Sequence, residues 1–162
     1  KKVLEYPVVS QIPYVFIAEL YFSQRQYDKV IHYIEIAENK FGKQGTFFYL
    51  RGLAFSHQRI WLKTYFEFQQ AEKMKFETPV FFRSYGIACE KIGKTEKAVE
   101  LLLKSIKLAP EDPTNYIELI NIYLSHGRIL EAAKLVKTSQ KNVPTSFTLS
   151  LLKQQIKRQL EV

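Results

Sequence analysis

The chain has one cysteine, Cys89, so an intramolecular disulfide framework is excluded and the redox compartment stays open. Glycine and proline are scarce, at six each in 162 residues. No uninterrupted apolar stretch approaches the roughly 18–20 residues a membrane-crossing helix needs. Residues 1–10, KKVLEYPVVS, lack the apolar core of a secretory signal. Catalytic patterns are missing too. No serine stands in a nucleophile-elbow sequence, and no carboxylate pair is set apart from helix faces. His32, His57 and His126 lack metal-ligand spacing. Gly93-Lys94-Thr95 imitates the end of a phosphate-binding loop, but Ala88 stands where a second glycine is required. These absences predict a protein that is not an enzyme and needs no metal or cofactor.

What is present is a 34-residue period without insertions. Gly52 and Gly86 are one period apart, as are Gly93 and Gly127, Ala37 and Ala71, and Pro110 and Pro144. Phasing on the two prolines gives repeats 11–44, 45–78, 79–112 and 113–146. Position 4 of the repeat reads Tyr14, Phe48, Phe82, Tyr116, and position 8 reads Ala18, Gly52, Gly86, Ile120. Position 11 reads Tyr21, Phe55, Cys89, Tyr123, and position 20 reads Val30, Thr64, Ala98, Ala132. Position 24 reads Ile34, Phe68, Leu102, Val136, and position 27 reads Ala37, Ala71, Ser105, Ser139. Large residues at 4, 11 and 24 alternate with small ones at 8, 20 and 27, so two antiparallel helices can approach closely and interlock. Such a unit cannot bury its apolar face alone and must stack on its neighbours.

Apolar spacing and breakers predict helices near 12–24, 27–41, 45–57, 61–75, 79–92, 95–109, 113–126 and 129–142. Asp112 is the expected N-cap before Pro113. A ninth helix near 146–160 carries Leu149, Leu152, Ile156 and Leu160 on one stripe, with Lys153, Lys157 and Arg158 outward. Residues 147–162 are therefore expected to cap the array. Val3-Leu4-Glu5-Tyr6-Pro7 is similar to the end of a second repeat helix, so residues 1–10 are read as a linker or the remnant of an upstream repeat.

Over residues 11–146 the pattern resembles the tetratricopeptide repeat (TPR) family: an aromatic, then Leu-Gly, then Tyr, Ala, Phe and a closing Pro. The third repeat fits best, through Tyr85-Gly86, Gly93, Ala98, Leu102 and Pro110. The first two depart from it, with Arg25 and Arg59 where the inter-helix turn usually has glycine. The resemblance implies an all-α, right-handed α-solenoid of four helix-turn-helix repeats plus a capping helix, working as a protein–protein interaction scaffold. In that family, positions 2, 5, 9 and 12 of the first helices line a concave groove. The groove residues singled out are Val15, Glu19, Tyr49, Leu53, Arg83, Ile87, Glu90, Ile117 and Asn121, with His57 and Lys91 at the rim. Tyr49 and Arg83 are the preferred anchors, because aromatic and arginine side chains dominate binding hot spots.

Position 6 reads Phe16, Leu50, Ser84 and Glu118, so the asparagine-based clamp of the chaperone-binding subtype is absent. The expected partner is a protein, gripped through apolar contacts as a helix or extended peptide, and no small-molecule substrate is expected. The alternative is a regulatory or targeting arm of a larger enzyme. The net charge of +8 raises RNA or a membrane surface as further partners. Half of the excess lies in residues 113–162, with seven basic against three acidic side chains, and mostly outside the groove positions. Nucleic acid is accordingly not favoured, and contact of the basic face with a membrane has no specific support.

Overall fold

The computed structural model describes residues 10–161. The reading of residues 1–9 as a repeat remnant lies outside them. The described residues form nine α-helices: α1 Ile12–Ser23, α2 Tyr27–Phe41, α3 Gly45–His57, α4 Trp61–Lys73, α5 Pro79–Lys91, α6 Thr95–Leu108, α7 Pro113–Ser125, α8 Ile129–Asn142 and α9 Phe147–Leu160. Among the described residues no helix is long and apolar enough to cross a membrane. Two compact units divide the chain between Phe76 and Glu77. In the first, α1 packs on α2, α2 on α3 and α3 on α4; in the second, α5 to α9 follow the same sequential pattern.

Helix ends follow the local chemistry. Thr78 accepts a hydrogen bond from the Phe81 amide at 3.1 Å, with Pro79 as the first helical residue. Asp112 caps α7 through the Thr114 amide at 2.9 Å, again ahead of a proline. The turn inside each repeat is the same hydrogen-bonded motif, in which the amide three residues past the last helical residue reaches back to a carbonyl in its last turn. The bonds are Gln26 to Tyr21 (2.9 Å), Ile60 to Phe55 (2.9 Å), Lys94 to Cys89 (2.9 Å) and Arg128 to Tyr123 (2.8 Å). This motif needs one residue at positive φ. Gly93 and Gly127 supply it at 77° and 69°, while Arg25 and Arg59 adopt 58° and 60° in the same places. The arginines therefore keep the turn geometry despite their Cβ atoms. Lys75, at φ 56°, closes α4 in this way, which is why that helix ends two residues earlier than its apolar spacing suggests.

The interlocking positions form the core. Positions 4, 8, 20, 24 and 27 are buried in all four repeats, and position 11 is half-buried in the first two and buried in the others. Gly52 and Gly86 sit where two helices meet most closely: a Cβ on Gly52 would come within 2.5 Å of the Phe68 ring, and one on Gly86 within 3.0 Å of Leu102. Ile120 fills the same place in α7, where α7 and α8 pack less closely than α3 and α4 or α5 and α6 and Val136 stands where Phe68 does. Cys89 is fully buried, as its place in the interlocking pattern predicts.

The period alone did not single out positions 3, 7 and 10 of the first helices. These are buried as Phe47, Arg51 and Ala54 in α3, as Phe81, Tyr85 and Ala88 in α5, and as Asn115, Leu119 and Ile122 in α7. In α3 and α7 they face the preceding second helix through polar clusters. Arg51 donates from Nη1 to Glu38 of α2 at 2.5 Å and pairs through Nε with Glu67 of α4 at 2.9 Å. Burial alone would raise the Glu67 carboxyl, the neighbouring guanidinium opposes this, and the net direction is upward. In the second unit the fully buried Asn115 donates to the Ala109 carbonyl at 3.2 Å. Its Oδ1 accepts from Arg83 at 2.8 Å and lies 2.9 Å from the Ser105 hydroxyl. That hydroxyl donates to the Pro79 carbonyl at 2.7 Å, so the start of α5, the end of α6 and the start of α7 are tied together.

Candidate functional site

First helices place positions 2, 5, 9 and 12 on one face, because residues three and four apart are neighbours on a helix surface. In the second unit this face forms a cleft of about 350 Å³ between α5 and α7. Four of the residues singled out from the sequence meet there: Ile87, Glu90, Lys91 and Asn121. Glu118, Ile122 and Ser125 complete the wall, residues that groove positions alone do not predict. Their signal is spacing on one helix, since Glu118 and Ser125 lie three and four residues from Asn121, and Ile122 lies four from Glu118 and three from Ser125.

The cleft combines an apolar floor with opposed charges. Ile122 is buried and Ile87 half-buried, whereas Lys91 and Asn121 are exposed. Glu90 sits between these environments. Its Oε1 lies 2.8 Å from His126 Nε2, which is itself 3.3 Å from the Thr95 hydroxyl. Its Oε2 is buried and accepts no hydrogen bond. A buried oxygen in that condition is uncommon and costs about 1–3 kcal/mol.

Arg83 and Ile117, on the same two helices, do not line the cleft. The Arg83 side chain is held by Asp112 at 2.5 Å as well as by Asn115, so it is engaged in joining α5 to α7. Ile117 is half-buried.

The first unit presents its own stretch of the face on α1 and α3. Val15, Phe22 and Tyr49 pack as half-buried residues against the core, and Glu19 and His57 are exposed. Leu53 is half-buried. Tyr49 stacks on Phe76 with centroids 4.9 Å apart and lies 6.1 Å from the Phe68 ring. His57 meets Phe22 edge-on at 4.9 Å and stacks on Tyr27 at 5.2 Å, which fixes its ring at the rim of α3. Among the described residues no group of three or more metal-ligating side chains converges.

No protein-family model and no curated protein matches the chain by sequence. Solved structures do match it by shape. YrrB, a TPR protein with an unusual peptide-binding site, aligns with a TM-score of 0.79 at 16% identity, over 94% of this chain and 78% of that one. MamA from Desulfovibrio magneticus RS-1 gives 0.80 at 13% identity, over 93% and 85% of the two chains. The Cut9-Hcn1 hetero-tetramer of the APC/C gives 0.78 at 16% identity, where 91% of this chain matches 30% of that chain. Likeness at such low identity is a likeness of architecture, and with the helix pairs and turns described above it shows that this chain has the all-α solenoid fold of tetratricopeptide-repeat proteins.

Proposed function

We propose that this chain is a protein-interaction scaffold that holds an extended peptide or partner helix on the face made by its first helices. The observation that carries this reading is the α5/α7 cleft, where an apolar floor of Ile87 and Ile122 is edged by Glu90, Lys91 and Asn121. Glu90 brings a negative charge to the edge of the cleft that favours a lysine or amide of the ligand, while Asn121 offers both a donor and an acceptor to a peptide backbone. Ile87 and Ile122 receive an apolar side chain, and Lys91 takes a carboxylate on the same ligand. Val15, Glu19, Tyr49, Leu53 and His57 present the corresponding positions on α1 and α3, and Arg83 and Ile117 stand beside the cleft. The helices are fixed by their own packing, so little ordering entropy is lost on docking. The ligand chemistry is that of a peptide, and no catalytic role is assigned to any residue of the site.

YrrB, with which this chain shares its fold, has a peptide-binding site, which supports the same class of ligand here. The test is affinity capture with the 162-residue protein, followed by titration of the captured partner's binding segment. Lys91→Glu with Asn121→Ala changes two exposed side chains, so the fold is untouched, and partner affinity falls by tenfold or more. Unchanged affinity in that variant would remove the site from this face.

A further inference from the structure

A second cleft, of about 420 Å³, opens on another surface of the second unit, between α8 and α9. Val136, Ile156 and Leu160 line its apolar part, and Lys137, Lys153 and Lys157 stand around them. No acidic residue lines it. Between Ala132 and Leu160 the chain carries six cationic side chains and no anionic one. Glu161 alone comes near, 3.6 Å from the Lys157 ammonium at the end of α9. So extended a run of one sign beside an apolar groove is unfavourable by itself, and it selects an anionic occupant.

The repeat register says what kind of occupant. Phe147 begins α9 one period after Pro113, so α9 holds the place of a first helix in a fifth repeat. Lys153 then falls at position 7, the place of Arg51 in α3. Gln140 lines the same cleft and falls at position 28, the place of Glu38 in α2. In the first unit the cation at position 7 is held by two carboxylates, Glu38 from the preceding helix and Glu67 from the following one. At α8/α9 the preceding helix offers the neutral Gln140, so Lys153 has no carboxylate from that side. Positions 4 and 8 of α9 are the polar, exposed Ser150 and Gln154. The broad apolar contact between helices of one repeat is therefore not available to an incoming helix. A narrow apolar stripe flanked by carboxylates is what the cleft accepts.

We propose that the α8/α9 cleft binds an acidic amphipathic helix of a partner protein, laid along the groove between the two helices, with a glutamate of the partner meeting Lys153 as Glu67 meets Arg51. The stripe rests on Val136, Ile156 and Leu160, and further carboxylates meet Lys137 and Lys157. Two helices of 14 residues border the cleft, which matches a partner helix of about four turns at ~1.5 Å per residue. This surface is separate from the α5/α7 cleft, and it stands or falls independently of the peptide reading made there.

The experiment uses the 162-residue protein and three synthetic amphipathic peptides that share one leucine stripe. Their flanking positions are glutamate, glutamine or lysine. Binding is followed by fluorescence anisotropy at low and moderate salt and by methyl shifts of Ile156 and Leu160. The glutamate peptide binds, moves those methyls and weakens as salt rises. The glutamine peptide binds at least tenfold more weakly, and the lysine peptide does not bind. Lys153→Glu with Lys157→Glu alters two exposed residues and leaves the melting transition in place. In that variant the preference reverses, so that the lysine peptide binds and the glutamate peptide does not.

Equal affinity for the glutamate and glutamine peptides would overturn the proposal. So would a preference that fails to reverse, or shifts that avoid the Ile156 and Leu160 methyls. Binding to phosphatidylserine vesicles without binding to the glutamate peptide would assign the basic surface to lipid instead. A monomer–dimer equilibrium abolished by the same double substitution, with no peptide binding, would assign it to a second copy of this chain.

Discussion

Replacing Gly52 by alanine tests the packing of the first unit with a single methyl group. The added Cβ would lie 2.5 and 2.6 Å from two carbons of the Phe68 ring and 3.2 Å from the Glu67 Cβ. Comfortable carbon–carbon contact is roughly 3.5–4.0 Å, so the ring must retreat by about 1 Å. It has no room to do so, because Phe68 is fully buried and packed beside Tyr49. Overpacking of this kind costs about 1–3 kcal/mol, whereas alanine in a helix is better than glycine by about 1 kcal/mol. The net expectation is a loss of up to about 2 kcal/mol, read from urea unfolding followed by far-ultraviolet circular dichroism. The second-site change Phe68→Val removes both carbons in collision. In a double-mutant cycle the two substitutions should therefore couple favourably, by about 1–2 kcal/mol. If Gly52→Ala stabilises the protein by about 1 kcal/mol, propensity alone is at work and the close approach of α3 and α4 is wrong. Ile120 occupies this position in the pair α7 and α8, which pack less closely than α3 and α4.

Two further outcomes are expected. Arg59→Gly and Arg25→Gly should each raise the melting temperature. The left-handed conformation costs an L-residue about 1–2 kcal/mol, and the looser unfolded chain takes back about 0.4–1 kcal/mol; a fall in melting temperature would mean that the arginine side chains hold the turn themselves. The second concerns Asp112. Burial alone would raise its carboxyl, but hydrogen bonds from the Thr114 hydroxyl and amide and from Arg83 outweigh this and hold it below its usual value. Its contribution to stability is therefore present above the unfolded value of about 3.9 and is lost as pH falls through the lower folded value. Asp112→Asn should flatten the acid limb of the stability profile, and an unchanged limb would show that other carboxylates set it.

The helix pairs, their turns and the interlocking core were legible in the sequence because each depends on residues close together in the chain. Side-chain size at positions 4, 8, 20, 24 and 27 is a local property, and so is the positive φ that Gly93 and Gly127 provide. The contents of positions 3 and 7 were not legible. Arg51 reads as a surface charge until Glu38 and Glu67 are brought to it from two other helices, and Asn115 reads as a solvated amide until Ser105 and Arg83 surround it. The site followed the same division. Spacing put Ile87, Glu90, Lys91 and Asn121 on one face, but the choice of Arg83 as an anchor ignored Asp112, 29 residues away in the chain, which now holds it. Residue type alone cannot tell a cation that awaits a ligand from one that fastens two helices.

A chain of near-equivalent helix pairs must also solve a problem of order, since faces alike enough to stack are alike enough to stack wrongly. The Arg51 cluster bears on this. If α3 met α6 in place of α2, position 28 would offer Ile106 where Glu38 belongs. Arg51 would lose one of its two carboxylates and keep only Glu67, forfeiting a charge-assisted hydrogen bond of about 1.5–3 kcal/mol. If α7 met α2, Asn115 would face Ala37 at position 27 in place of the Ser105 hydroxyl. These two junctions thus each carry a polar signature that the other cannot read. At them, repeats that share a shape are kept in sequence by partners they do not share, and exchange of helix pairs between two copies of the chain is penalised where it would join α3 or α7 to the wrong neighbour.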